Sequence, residues 1–243
     1  MKILSYLLSI IFALVFYILL LAFHILQWIA FYVFGKNAHQ KVVDIMCWCL
    51  VKSLLILGNR IKLINQHKLP KNTNLLFVAN HQSIFDIPPI IWYFRKHYPK
   101  FVSKKELGKG IPSVSFNLRH GGAVLIDRKD AKQALNELEK FAVRIHKNGW
   151  SVAIFPEGTR SRTGIPKSFA PNGLKMLIKH NPNAYVVPIS INNSWKIFRY
   201  GKFPLGIFNC ITLDVHQPFK VNSLPFDELL KKVEITVKSA IQK

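Results

Sequence analysis

Apolar positions along this chain follow three different rhythms. From Ile3 to Phe34 they run almost without interruption, and no Asp, Glu, Lys or Arg occurs among them. As one helix the stretch is roughly 48 Å long, against a hydrocarbon core of about 30 Å, so it must tilt, break or lie partly in a membrane interface. A secretory signal has a much shorter apolar core and a small-residue cleavage site. Here Phe23, Ile25, Trp28 and Phe31 carry the run onward, and the segment is expected to stay attached. Val42 to Leu57 is also apolar, but Asp44 and Lys52 suit it to a membrane surface better than to a crossing.

After this the rhythm switches between strand-like and helix-like, an α/β pattern without internal repeats. Leu75 to Ala79 (LLFVA) reads as a buried strand ending at Asn80 and His81, with a helix opening near Ser83. Ala123 to Ile126 reads as a strand. Ala131, Ala134, Leu135, Leu138, Phe141, Ala142 and Ile145 then recur at helical spacing, and Asn148 and Gly149 mark the stop. Ser151 to Phe155 is the next strand, running into a turn at Pro156, Glu157 and Gly158. A short helix over Leu174 to Ile178, strands over Tyr185 to Ile191 and Ile211 to Val215, and an amphipathic helix over Phe226 to Ile241 complete the pattern. We expect a helical membrane-associated region at 1–58 and one α/β domain at 59–243, with a mostly parallel sheet flanked by helices.

Charge adds a direction to this plan. The net charge is +22, and Lys2 is the only Lys or Arg before Lys36, so the α/β body is strongly basic. Lys36 and Lys41 follow the apolar run, which by the positive-inside tendency puts the body in the cytoplasm. Positive charge holds a domain against anionic headgroups and concentrates phosphate-bearing substrates. Nucleic acid is not an expected partner, because the lysines are scattered and no basic helix or aromatic stacking platform stands out. Cys47 and Cys49 lie in an apolar segment and Cys210 stands alone, consistent with a reduced compartment; no spacing suggests a metal site.

The strand ends carry the candidate chemistry. In Asn80-His81-Gln82-Ser83-Ile84-Phe85-Asp86 a histidine and a carboxylate stand five residues apart. On one regular helix they would diverge by about 140°, whereas across a strand-to-helix turn they can meet, Asp86 holding one ring nitrogen and leaving the other as a base. Ser83-x-x-Asp86 equally satisfies a capping box, so spacing alone leaves Asp86 as either a helix start or a catalytic partner. In Phe155-Pro156-Glu157-Gly158-Thr159-Arg160-Ser161, backbone amides, a hydroxyl and a guanidinium share one turn. That suits an anion: Arg160 can pair bidentately with a phosphate and Gly158 allows close approach. Glu157 repels phosphate, and either orients Arg160 or binds an acceptor hydroxyl. Arg128, ending Gly122 to Arg128, is a second phosphate ligand or one half of a surface ion pair with Asp127. Lys104 and Lys105 offer further charge.

In this order the segments resemble the glycerolipid acyltransferases, the family that includes bacterial 1-acylglycerol-3-phosphate acyltransferases. The resemblance covers roughly 60–220 and rests on the blocks at 80–86, 122–128 and 155–161 and on Val187-Pro188-Ile189. It implies that His81 and Asp86 are the catalytic pair and that Arg128, Glu157, Gly158, Thr159 and Arg160 hold the acceptor's phosphate. The Lys-x-Glu-Leu element at Lys104 to Leu107 implies Lys104 rather than Lys105 as a further ligand. One departure stands out: the family's Phe-Lys-x-Gly after the third block is Phe169-Ala170-Pro171-Asn172-Gly173 here, so that cation is missing or displaced to Lys167.

The implied reaction passes a fatty acyl group from acyl-CoA or acyl carrier protein to the sn-2 hydroxyl of lysophosphatidic acid, at the inner membrane, without metal or organic cofactor. A thioester is already reactive, so a His-Asp pair suffices without a serine nucleophile. Ser83 as a hydrolase nucleophile lacks a Gly-x-Ser-x-Gly elbow. Glycerol 3-phosphate or another lysolipid as acceptor, and a non-enzymatic basic membrane-binding protein, are the alternatives.

Overall fold

The computed structural model describes residues 2–65, 67–127 and 129–242. The first rhythm is one unbroken helix, α1 (Lys2–Phe34). Gly35, at φ 83°, reverses the chain into α2 (Lys36–Ser53), a conformation that favours glycine. The buried positions of α1, namely Ser5, Ser9, Phe12, Leu20, Phe23, Gln27 and Ala30, recur at helical spacing and face the body. The other face is apolar and uncovered: Ile3 is 88% exposed, Leu14 61% and Phe34 71%. Of the helices described, α1 alone is long and apolar enough to cross a membrane.

An eight-stranded sheet forms the centre, in the order β1 (Arg60–Asn65), β7 (Cys210–Val215), β6 (Tyr185–Asn192), β2 (Leu75–Ala79), β5 (Ser151–Ile154), β3 (Pro99–Lys104), β4 (Val124–Ile126), with β8 (Phe219–Lys220) paired to β6. From β6 to β4 all strands are parallel, whereas β7 runs antiparallel to β6 and β1 follows β7. All five residues of β2 are buried, as expected of a central strand covered on both faces. Its alternation sorts the core. Leu75, Phe77 and Ala79 join the cluster beneath α1, α2 and α3 (Ile87–Tyr93), and Leu76 and Val78 join the cluster with α5 (Ala131–Asn148), α6 (Pro171–His180) and α7 (Phe226–Ser239). The result is a helix–sheet–helix sandwich in which Phe12, Leu20 and Phe23 of α1 share one apolar cluster with the sheet.

The expected α/β class and mostly parallel sheet are present. The strand and helix positions read from periodicity reappear within a few residues, including the αL stop of α5 at Gly149. The helix expected to open near Ser83 is present as a 3₁₀ turn at Ile84–Asp86 leading into α3, whereas β1, β3, β8 and α4 (Val114–His120) were not anticipated. β3 was hidden by its polar residues, Lys100, Ser103 and Lys104, of which Lys100 is only 6% exposed. The Lys100 stem passes the Trp150 ring, 4.9 Å from ammonium to centroid, and Nζ donates to Gln40 Oε1 at 2.5 Å.

Burial pushes the Lys100 ammonium down to about 8, against a smaller upward pull from Asp44. In the unfolded chain it stays protonated up to its ordinary value of 10.5, so between these values the unfolded state binds more protons and stability rises with pH. The penalty is complete below about pH 8 and relieved above 10.5. Lys100→Met is therefore expected to stabilise the protein at neutral pH by up to about 3 kcal/mol and to flatten its stability profile across that window, read by thermal unfolding in detergent. A wild-type profile that is already flat there contradicts the assignment.

Candidate functional site

Parallel strands bring their C-terminal ends to one sheet edge, where α/β proteins place ligands. On that edge β2 delivers Asn80 and His81, β5 delivers Phe155 to Ser161, β3 ends at Lys104 and β4 precedes Asp127. Asn80 is fully buried and clips β2 to β6: its Nδ2 donates to Ile191 O at 2.8 Å and its Oδ1 accepts from Ile191 N at 2.7 Å.

His81 and Asp86 meet. His81 Nδ1 lies 2.8 Å from Asp86 Oδ2, with the His81 side chain 15% exposed and the Asp86 side chain wholly buried. The same oxygen accepts from Gln82 N at 2.7 Å and Ser83 N at 2.9 Å, while Ser83 Oγ accepts from Phe85 N at 2.9 Å. A capping box is thus present at the short 3₁₀ turn Ile84–Asp86. The spacing's two geometries coexist: Asp86 caps the turn and orients the imidazole with one oxygen. The ring stacks on Phe155, centroids 4.1 Å apart and 12° from parallel, and Nε2 bonds to no described residue. A neutral imidazole held this way, with Nδ1–H toward the carboxylate, presents Nε2 as a base. Ser83 is fully buried, and its Oγ also lies 2.6 Å from Ser194 Oγ, so it offers no exposed nucleophile.

The second block is bonded directly to the first. His81 N donates to Glu157 Oε1 and Lys167 N to Glu157 Oε2, each at 2.8 Å, and Ser161 N donates to His81 O at 2.8 Å. The Glu157 carboxylate therefore faces the backbone of His81 and Lys167 and forms no ion pair with Arg160 among the described residues. Burial pushes its pKa up, and the amides of Lys167 and His81 pull it back. Gly158 makes the turn at φ 69°, and an added Cβ would meet nothing within 4 Å there. Thr159 Oγ1 accepts from Lys167 Nζ at 2.6 Å, which sets the Lys167 ammonium beside the turn. Lys104, Thr159, Arg160 and Lys167 are all exposed on this edge. Arg128 lies outside the described residues. No three His, Cys, Asp or Glu side chains converge as metal ligands do among those described.

Sequence reasoning passed over Gln82. It is buried, with Oε1 accepting from Ser194 N at 2.9 Å and Trp195 N at 3.4 Å, and Nε2 donating to Gly164 O at 3.3 Å. It thus seats the loop after the second block against the catalytic turn. Nothing local could have signalled this, because its partners lie 82 to 113 residues away.

A cavity of about 240 Å³ opens between the helical layer and β3. Phe16, Leu20, Met46, Phe85, Ile91 and Phe101 line it, with Lys100 and Gln40 as polar wall residues. Both Ser103 and Pro99 border it, so it follows β3 inward from the site edge for roughly 13 Å. The Phe101 ring lies 6.2 Å from Phe155, the ring that stacks on His81.

Comparison with known proteins agrees with this geometry. A family model described as acyltransferase matches residues 60–192. The 1-acyl-sn-glycerol-3-phosphate acyltransferase of Borreliella burgdorferi is 26% identical over 196 residues, covering 76% of each chain. That of Helicobacter pylori is 36% identical over 128 residues, 51% of this chain and 50% of that one, so the chain spans half that relative's length. The crystal structure of the 1-acyl-sn-glycerophosphate (LPA) acyltransferase PlsC from Thermotoga maritima is 27% identical and superposes with a TM-score of 0.81, covering 99% of this chain and 95% of that one.

The Gln82 bonds together contribute about 1–2 kcal/mol to holding the loop, worth roughly 5- to 30-fold in local opening. Gln82→Ala is expected to speed tryptic cleavage at Arg160 or Arg162 by that factor with global unfolding unchanged. Equal cleavage rates in variant and wild type would remove Gln82 from this role.

Proposed function

The chain belongs to the acyltransferase family, and from that premise we propose that it transfers a fatty acyl group from acyl-CoA or acyl carrier protein to the free sn-2 hydroxyl of 1-acylglycerol 3-phosphate. The product is phosphatidic acid for phospholipid synthesis. That the chain is an acyltransferase enzyme follows from the family and the relatives together. The acceptor is read from the names of the relatives and from the cationic sheet edge beside His81.

The observation that best supports the mechanism is the 2.8 Å bond from His81 Nδ1 to a wholly buried carboxylate, with the His81 side chain 15% exposed and Nε2 bonded to no described residue. Nε2 takes the proton of the acceptor hydroxyl as that oxygen attacks the thioester carbonyl, and Asp86 stabilises the imidazolium that forms. The C–S bond then breaks, and the imidazolium returns its proton to the departing thiolate. Lys104, Arg128, Thr159, Arg160 and the backbone turn at Gly158 hold the acceptor's phosphate, and Glu157 ties this turn to His81. An acyl chain occupies the apolar cavity along β3. No metal or organic cofactor takes part. α1 anchors the protein in the inner membrane, and Lys36 and Lys41 keep the catalytic body in the cytoplasm.

General-base assistance is worth about 10²- to 10⁴-fold. His81→Ala is expected to lower kcat by that much in the purified protein assayed with acyl-CoA and lysophosphatidic acid, and near-normal turnover would overturn the base assignment. Arg160→Ala is expected instead to raise KM for the phosphorylated acceptor roughly 10-fold or more, the loss of a charge-assisted pair, with a smaller change in kcat. An unchanged KM would remove Arg160 from the phosphate site. An acceptor panel scored by product mass tests the substrate, and preference for glycerol 3-phosphate or another lysolipid would replace it.

A further inference from the structure

Two surface segments share a composition of which the mechanism uses only Gly158, Thr159 and Arg160. Residues 158–168 contain Arg160, Arg162 and Lys167 and no Asp or Glu, and residues 199–208 contain Arg199 and Lys202, again without an acid. Each also presents large apolar side chains to solvent: Ile165 is 72% exposed, Phe203 48% and Tyr200 43%. Apolar tips interleaved with cations are the composition of a surface that dips into a headgroup layer, the cations meeting lipid phosphates.

Both segments are held in place. A Cβ on Gly164 would come within 2.3 Å of Trp195 Nε1, so this glycine sits directly on the indole, and Gln82 holds its carbonyl. The other segment grips α1: Ser5 Oγ donates to Leu205 O at 2.5 Å, Ser9 Oγ accepts from Leu205 N at 2.8 Å, and the Tyr6 and Phe203 rings meet edge-on at 5.4 Å. Ring contacts join the two. Trp195 lies in the short helix Ser194–Phe198, Phe198 stacks with Phe85 at 5.9 Å, and Phe85 meets Phe12 and Phe16 of α1 at 5.8 and 5.9 Å. The two segments are therefore tied through the core to the helix whose outer face is uncovered and apolar.

We propose that residues 162–167 and 199–203 form a second bilayer contact, made by the catalytic body itself, whose partner is the surface of an anionic phospholipid bilayer. It extends the reading of α1 as the membrane anchor. A contact made by the body in addition to α1 fixes the tilt of the site against the bilayer, which one helix alone leaves free.

The test places an environment-sensitive, quenchable fluorophore on single cysteines introduced by Ile165→Cys, Phe203→Cys, Leu14→Cys on α1, and Lys132→Cys on exposed α5 as a control. The full chain carries Ser in place of Cys49 and Cys210; Cys47 is buried. Each variant is mixed with phosphatidylcholine vesicles, with or without one-third phosphatidylglycerol, bearing a shallow nitroxide lipid. On anionic vesicles the labels at 165 and 203 are expected to be quenched several-fold more than at 132, and less without phosphatidylglycerol, while 14 is quenched in both. Quenching at 14 with none at 165 and 203 overturns this contact and leaves the anchor standing. Quenching at 165 and 203 that ignores phosphatidylglycerol overturns the role given to the cations. No quenching at any of the three overturns the anchor and this proposal with it.

Discussion

The arrangement of the site depends on one buried oxygen. Asp86 Oδ2 receives the His81 ring nitrogen and the amides of Gln82 and Ser83 within 2.7 to 2.9 Å. A carboxylate removed from water is costly unless donors replace the lost solvation, and three donors on one oxygen do so while fixing the turn that carries the histidine. The other oxygen, Oδ1, is equally buried and meets no donor among the described residues. Pure helix capping would be served by a more exposed side chain at less cost. A locally expensive carboxylate is what a fixed imidazole orientation requires, and such local expense is characteristic of functional positions.

Much of the fold was legible because continuous apolar runs and helical spacing report burial directly. LLFVA at β2 and SVAI at β5 are fully buried strands, and the α5 stripe from Leu138 to Ile145 lies in the core. β3 was not legible, because Lys100 sits mid-strand with its charge carried to Gln40 on a distant helix, a solution that no window of sequence records. The reversal of β7 and β1 relative to the other strands escaped for a related reason. Each strand's own pattern is the same in either direction, and only the pairing partner decides.

The site divides along the same line. His81 and Asp86 are close in sequence and were legible as a pair, and one geometry lets Asp86 both cap the turn and hold the imidazole. Glu157 was identified as belonging to the site, but its backbone partners were not, because the His81 amide it binds lies 76 residues away. This bond, together with Ser161 N to His81 O, makes the two blocks one rigid unit. Their separation in sequence hides that the turn at 157–161 and His81 are bonded to each other.

The same economy of parts governs the helical layer. Phe16 and Leu20 of α1 line the cavity beside β3, whereas Leu14, Tyr17 and Ile18 on the outward face are more than half exposed. One helix is therefore both the wall of the apolar cavity and the surface offered to a bilayer. A soluble protein would cover that outer face, since leaving so many large apolar groups in water forfeits their burial energy and invites association. Because Phe12, Leu20 and Phe23 belong to the cluster that includes Phe77 and Phe101 of the sheet, α1 is not a detachable tether. Removing it would uncover part of one face of the sheet and open the cavity that it walls together with α2, so the same helix serves both the core and the cavity.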